Sequence, residues 1–283
     1  GAKLITSNQE IRRILDAEDA DFALDVACIL RKEKKFPLIE QLISSQLDVD
    51  RLDYLERDAY YTGAAYGHID VDRLIRVLYI KNGKVVFKMS GIHAIENYLI
   101  ARYHMYWQVY YHPVARAYEV NLEKIYRRIH DLLALGFPFE SNVEPLKRIM
   151  KDTNDLEAYV EIDDFYINGL IASFLKSKDD ILRSLAHDFM NRRIWAYVND
   201  NEENKEFIAQ VLSSFKPDEV AYYTARRSVQ NNTYRDEGEG FGDKIYILLE
   251  NGKISSLKDQ SKIIESLMLS GTKADPKFFY RRS

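Results

Sequence analysis

Cysteine is almost missing from this chain. Cys28 is the single one among 283 residues, which excludes a disulfide framework and a cysteine zinc site and fits a reducing, cytoplasmic setting. An excess of positive charge is missing too: 40 Lys and Arg against 44 Asp and Glu leave a net charge of -4. No bulk basic field is present, so nucleic acid is not an expected partner. A few arginines on one wall would still make a local phosphate site. No apolar run reaches the ~18 residues of a membrane span, so no membrane partner is expected. Gly1-Ala2-Lys3 lacks the apolar stretch of a signal peptide, and a Gly in place of an initiating Met reads as a tag scar on a chain whose natural start lies upstream. Internal repeats, low-complexity tracts, a Rossmann fingerprint, a nucleophile elbow and zinc-finger spacing are all lacking.

What is present is ordinary soluble-globular composition, 46% apolar and 30% charged, with an unusual 20 tyrosines. The length suits one large domain or two modest ones. The spacing predicts helices from Asn8 or Ser7 onward, over 21–31, from Pro37, and over 50–57. Asn82-Gly83 between two β-rich runs, 76–80 and 85–89, predicts a hairpin. Helices follow over 92–111 and 114–135. Residues 155–174 and 179–197 also look helical. In the tail, 220–223 and 245–249 read as strands and 261–269 as a closing helix. The expected class is mainly α, a helical bundle with a small β-hairpin and a C-terminal α+β lobe, divided as 1–135, 136–212 and 213–283.

The densest chemical signal lies in residues 44–63. On a helix, Asp50, Tyr54 and Asp58 recur at i, i+4 and i+8 and share one face, with Arg51 beside the first. Leu52 and Leu55 point toward a core. Such a wall suits a divalent cation, a phosphate and a sugar hydroxyl. Spacing alone favours a solvated face laced with ion pairs. The Tyr60-Tyr61 flank and the Gly63 and Gly67 turns argue that the face meets other structure. A second stripe repeats the interval: Arg102, Tyr106 and Tyr110 place one cation and two phenols in line, suiting a polyphosphate end and a sugar or base face. The alternative is an aromatic core stripe, which is the reading for Trp107, Tyr103 and Tyr111. His130-Asp131 and His187-Asp188 read as surface pairs, because neighbouring helical residues diverge. The acidic, glycine-rich stretch 235–244 is no P-loop and reads as a mobile loop.

Residues 47–58, Leu-Asp-Val-Asp-Arg-Leu-Asp-Tyr-Leu-Glu-Arg-Asp, strongly resemble the HD-domain metal-dependent phosphohydrolases, nearest their deoxynucleoside-triphosphate triphosphohydrolase branch. The likeness continues through 60–70, 102–114, 185–198 and Phe278-Phe279-Tyr280, nearly the whole chain. It implies an HD-type helical fold in which His, His-Asp and a distant Asp bind one divalent metal ion, with Mn, Mg, Fe, Zn and Ni not distinguished. Asp50 matches the distant Asp and Arg51 a basic residue on the phosphates. Tyr54 matches a tyrosine between phosphates and sugar, and Asp58 a carboxylate on the sugar 3′-hydroxyl. Arg102 matches a phosphate-binding arginine and Tyr110 a tyrosine packed on the deoxyribose. Tyr106 stands where some relatives carry a catalytic-pocket histidine. Arg73 and Arg192 fall where relatives grip a regulatory nucleotide between subunits.

The resemblance also implies an activator such as dGTP and a homo-oligomer, dimer or tetramer. In the family the remaining metal ligands precede the Asp50 segment, yet residues 1–49 hold no histidine. The expectation is therefore an incomplete site and an inactive piece of a longer dNTP hydrolase. Two alternatives stand beside it: a non-catalytic, nucleotide-responsive oligomerisation module, and an HD phosphohydrolase acting on monophosphates. Arg51 together with Arg102 favours the longer phosphate chain.

Overall fold

Helices begin where the sequence supplies caps. In the computed structural model, which describes residues 1–230, 234, 244–269 and 274–282, Asn8 Oδ1 accepts from Ile11 N at 3.0 Å. Asp48, Asp70, Asp155, Asp163 and Asp179 cap later helices in the same way. The glycine-rich stretch 235–243 lies outside the described residues. Among the described residues, no helix is long and apolar enough to cross a membrane.

The chain forms two compact units. The first takes residues 1–109 and 231–273, the second 110–230 and 274–283. The opening segment runs α1 (Ala2–Ser7), α2 (Gln9–Leu15), α3 (Phe22–Arg31), α4 (Pro37–Ile43), α5 (Val49–Thr62) and α6 (Val71–Val77). The hairpin β1 (Leu78–Lys81) and β2 (Lys84–Lys88) follows, then α7 (Ile92–Met105). Asn82 and Gly83 both have positive φ, 52° and 68°, as the tight two-residue turn requires. Arg76 and Val77, read as strand, finish α6 instead.

The second unit opens with α8 (Pro113–Ala134), α9 (Glu144–Lys151), α10 (Leu156–Glu161), α11 (Asp164–Ser173) and α12 (Asp180–Met190), and continues through β3 (Ala196–Asn199), α13 (Lys205–Ser214), α14 (Pro217–Tyr223) and β4 (Thr224–Gln230). Two expectations are corrected here. The helix expected to reach residue 197 stops at Met190, and β-branched and aromatic residues take over as β3. Residues 220–223 belong to α14, begun by Pro217, so the strand starts one residue later.

The tail returns to the first unit as β5 (Tyr246–Leu248), β6 (Ile254–Ser256), α15 (Leu257–Gln260) and α16 (Lys262–Leu269). It ends in the second unit as β7 (Ala274–Tyr280), a strand the sequence reading missed. One sheet has the order β1-β2-β5-β6, with β2 and β5 parallel. The other, β3-β7-β4, is antiparallel throughout. The expected mainly helical class with small sheets holds. The three consecutive segments read from the sequence follow breaks in apolar pattern. Compactness divides the chain differently, because the tail crosses between units.

In the first unit, α5 buries Leu55 and Ala59, one turn apart, and α7 buries Ile95, Tyr98, Leu99 and Met105. Gly67 is buried where these elements crowd: a Cβ there would lie 2.6 Å from both Ala59 Cβ and Met105 Sδ. Gly67→Ala is therefore expected to lower stability by about 1–3 kcal/mol through overpacking. A urea midpoint equal to that of the native chain would refute this. In the second unit, Ile125, Ile129 and Leu132 of α8 cluster with Leu182 and Leu185 of α12 and with Phe279 of β7. Arg128 grips Asp179 at that cluster's edge (Nε to Oδ1, 3.0 Å), and Tyr222 donates to Asp131 at 2.6 Å.

Candidate functional site

The loop that joins α4 to α5, residues 44–48, is the organising element of the first unit's polar cluster. Asp48 is only 2% exposed. Its carboxylate accepts from the backbone of Arg51 at 2.8 Å and of Ser45 at 3.0 Å, and also pairs with the Arg51 guanidinium. Arg51 Nη1 donates to the Ser45 carbonyl at 2.6 Å. Burial pulls the Arg51 pKa down, but Asp48 and the phenols of Tyr98, Tyr54 and Tyr106 outweigh it and raise it.

Helix α7 supplies the opposite wall. Tyr98 is buried and donates to the Gln46 carbonyl at 2.7 Å. One turn on, Arg102 is 6% exposed. Its Nη1 reaches Gln46 Oε1 at 3.2 Å and the Gln46 carbonyl at 3.4 Å. Its guanidinium lies 5.7 Å from the Tyr106 ring centre. At Tyr106 the predicted long helix widens into a π-turn, Tyr106–Tyr110, a distortion common at functional positions. Tyr54 hydrogen-bonds with Tyr106, and burial together with that neighbour pushes its hydroxyl from 10.0 up to about 12, against the pull of Arg102 and Arg51.

Two features show what this cluster lacks. The Nε atoms of Arg51 and Arg102 are buried with no hydrogen-bond partner. Among the described residues Arg102 has only neutral oxygen acceptors, both from Gln46, and no carboxylate. A buried cation without a counter-ion is unfavourable unless something anionic arrives.

The structure thus brings together Arg51, Tyr54, Arg102 and Tyr106. Asp50 sits exposed on the first turn of α5, and Asp58 is half-buried two turns on. Tyr110 is the first residue of the second unit. Arg73 is exposed on α6 and donates to the Ser90 carbonyl at 2.7 Å. Tyr60 and Tyr61 are 75% and 81% exposed, so the flank expected to meet other structure faces outward. Tyr103, Trp107 and Tyr111 are half-buried and not core. Sequence reasoning missed Gln46, Asp48 and Tyr98. Tyr98 was findable, since Tyr98, Arg102 and Tyr106 recur at i, i+4 and i+8 on one stripe.

Among the described residues, no three His, Cys, Asp or Glu side chains come together as a metal-binding group. The residues here do not by themselves fit a divalent metal centre. What they offer chemically is anion binding and hydroxyl positioning.

The second unit holds a separate cleft of ≈ 820 Å³, lined by Arg192, Arg193, Arg281, Arg282 and Trp195 among others. Arg192 is exposed, with φ 52°. Asp188, read from sequence as part of a surface pair, is instead buried. It accepts from Arg281 Nε at 2.6 Å and from Trp195 Nε1 at 3.3 Å.

The raised Tyr54 pKa has a measurable sign. The folded chain holds this proton more tightly than the unfolded chain. The resulting stability is complete below pH 10 and is lost as pH rises through about 12. Tyr54→Phe should therefore flatten the alkaline limb of the thermal-midpoint profile. Identical limbs in native and variant protein would contradict the assignment.

Comparison with known proteins shows what the chain is similar to. Residues 69–135 match the HD associated region. The chain is 38% identical over 285 residues to YwfO of Bacillus subtilis (strain 168), covering 98% of this chain and 65% of that protein. It shares the fold of a phosphohydrolase from Bacteroides thetaiotaomicron VPI-5482, with a TM-score of 0.77 and 28% identity, covering 96% of this chain and 71% of that one. A more distant likeness, 21% identity over 191 residues, links it to the deoxynucleoside triphosphate triphosphohydrolase SAMHD1 homologue of Dictyostelium discoideum, covering 65% of this chain and 34% of that protein. The chain thus spans just under two thirds of the length of YwfO.

Proposed function

We propose that the protein to which these residues belong is an HD-type phosphohydrolase that converts deoxynucleoside triphosphates to deoxynucleoside and inorganic triphosphate. One observation carries the reading: Arg102 is buried in the same cluster as Arg51 and, among the described residues, has no carboxylate partner. Two guanidinia in one polar cluster suit a chain of phosphates better than a single phosphate. The likeness to the Bacteroides phosphohydrolase and, at a distance, to the Dictyostelium dNTP triphosphohydrolase homologue supports it.

In this reading Arg51 and Arg102 offset charge on the phosphates. The Tyr54–Tyr106 pair, close to both, is assigned as a donor of neutral hydrogen bonds. Asp58 and Tyr110 are assigned to the sugar. Asp50 is assigned as one ligand of a divalent metal ion, although the described residues gather no metal-binding group. The test is incubation of a protein containing this chain with each of the four dNTPs and a divalent metal, with and without dGTP. Release of inorganic triphosphate is expected. Release of inorganic phosphate from nucleoside monophosphates, with none of the dNTPs turned over, would overturn the substrate class.

The arginine-lined cleft of the second unit favours a second reading, a nucleotide-responsive assembly module. In it Arg73 and Arg192 hold a regulatory nucleotide and the chain assembles as a dimer or tetramer without chemistry. Light scattering that shows dGTP-dependent assembly with no triphosphate release would select this reading over the first.

A further inference from the structure

Among the described residues, one residue accepts every hydrogen bond of the Arg102 guanidinium. Gln46 supplies both of its acceptors, the side-chain oxygen at 3.2 Å and the carbonyl at 3.4 Å. That residue is itself fixed. Its carbonyl also receives the Tyr98 hydroxyl at 2.7 Å. The loop on either side is tied down by Asp48, which accepts from Ser45 N at 3.0 Å, and by the Ser45 hydroxyl, which donates to the Leu47 carbonyl at 2.9 Å. The same short loop therefore turns Ser45 O toward Arg51 and Gln46 toward Arg102. A glutamine here is a notable choice. A glutamate of the same shape would neutralise the buried guanidinium, and the chain does not use one.

We infer that Gln46 is a positioning residue of the anion site: its amide oxygen occupies Arg102 as a neutral stand-in for a ligand oxygen, holding the guanidinium in place while leaving its charge uncompensated. The inference rests on the proposed reading of Arg102 as a phosphate-binding group. A guanidinium gains full Coulomb attraction from an anionic phosphate oxygen that it does not gain from a neutral amide, so an arriving phosphate oxygen displaces the amide. A tethered carboxylate would not be displaced so readily, because it competes at the high effective concentration of an intramolecular group.

The test compares the native chain with Gln46→Glu, Gln46→Ala and Arg102→Met. Inorganic tripolyphosphate is the probe, followed by calorimetric titration and by thermal midpoint. Gln46→Glu should weaken tripolyphosphate binding at least ~30-fold and raise the thermal midpoint, because Arg102 gains a carboxylate. Gln46→Ala should weaken binding only several-fold, through the loss of the residue that orients the guanidinium before phosphate arrives. A merely structural or space-filling role predicts the reverse order, since glutamate is isosteric and alanine is not.

If Gln46→Glu binds as well as native, or if its midpoint falls below that of Gln46→Ala, the inference about Gln46 is overturned. In that case Arg102→Met still abolishing binding leaves the reading of Arg102 intact. If the native chain binds no tripolyphosphate, or Arg102→Met binds as native does, both fall together.

Discussion

On the proposed reading, Arg102→Met is expected to lower triphosphate release from a protein containing this chain by about 100-fold or more in kcat/KM, while leaving the fold as stable as before or slightly more so. Both halves follow from one fact. Arg102 is 6% exposed and has only the two neutral oxygens of Gln46 as acceptors. Methionine keeps much of the side-chain volume and removes a buried charge that nothing in the described residues neutralises, a change that is often neutral or stabilising.

Arg51 provides the internal contrast. It belongs to the same cluster, but it is paired with the buried Asp48. Arg51→Met would leave that carboxylate with its backbone donors and without its cation, so it should destabilise by about 3 kcal/mol as well as reduce activity. Urea denaturation of the two variants, with kcat/KM measured for triphosphate release, checks the pair. A large stability loss in Arg102→Met would mean that the guanidinium is structural. Unchanged kcat/KM would remove it from the site.

The legibility of the site follows the same division. Arg51, Tyr54, Arg102 and Tyr106 could be read from the sequence because helical spacing of four sets each stripe on one face, and the two stripes meet in the folded unit. Gln46 and Asp48 could not be read that way. They act from a loop, through a backbone carbonyl, an amide and a cap, and loop geometry has no periodicity to read. Among the fold elements, β1 and β2 were legible because Asn82-Gly83 dictates a tight turn. Strand β7 was not: Ala-Asp-Pro-Lys-Phe-Phe-Tyr carries a proline and alternates poorly. It is a strand because β3 and β4 pair with it on both sides, a tertiary cause that no local propensity reports. His187-Asp188 misled for a related reason. Its acid is drawn inward by a partner 93 residues away in sequence.

That partner sets the largest stability effect expected in the second unit. Asp188 is 2% exposed and receives Arg281 through two nitrogens, Nε at 2.6 Å and Nη2 at 3.3 Å, together with the Trp195 indole at 3.3 Å. One carboxylate thus ties the end of β7 to α12 and to the residue just before β3. Asp188→Ala would strand Arg281, whose side chain is 22% exposed, and leave the buried indole N–H without its acceptor. Breaking a largely buried pair from one side destabilises by about 3–5 kcal/mol, and the unsatisfied indole adds on the order of 1 kcal/mol. Arg281→Met should have a smaller effect, because the carboxylate keeps the indole. The Asp188→Ala and Arg281→Met double variant should be less destabilised than the sum of the singles, as expected for coupled neighbours. Chemical denaturation of the three variants measures this directly. Strict additivity would mean that the pair contributes nothing, and that β7 is held in the second unit by Phe278, Phe279 and its ladder alone.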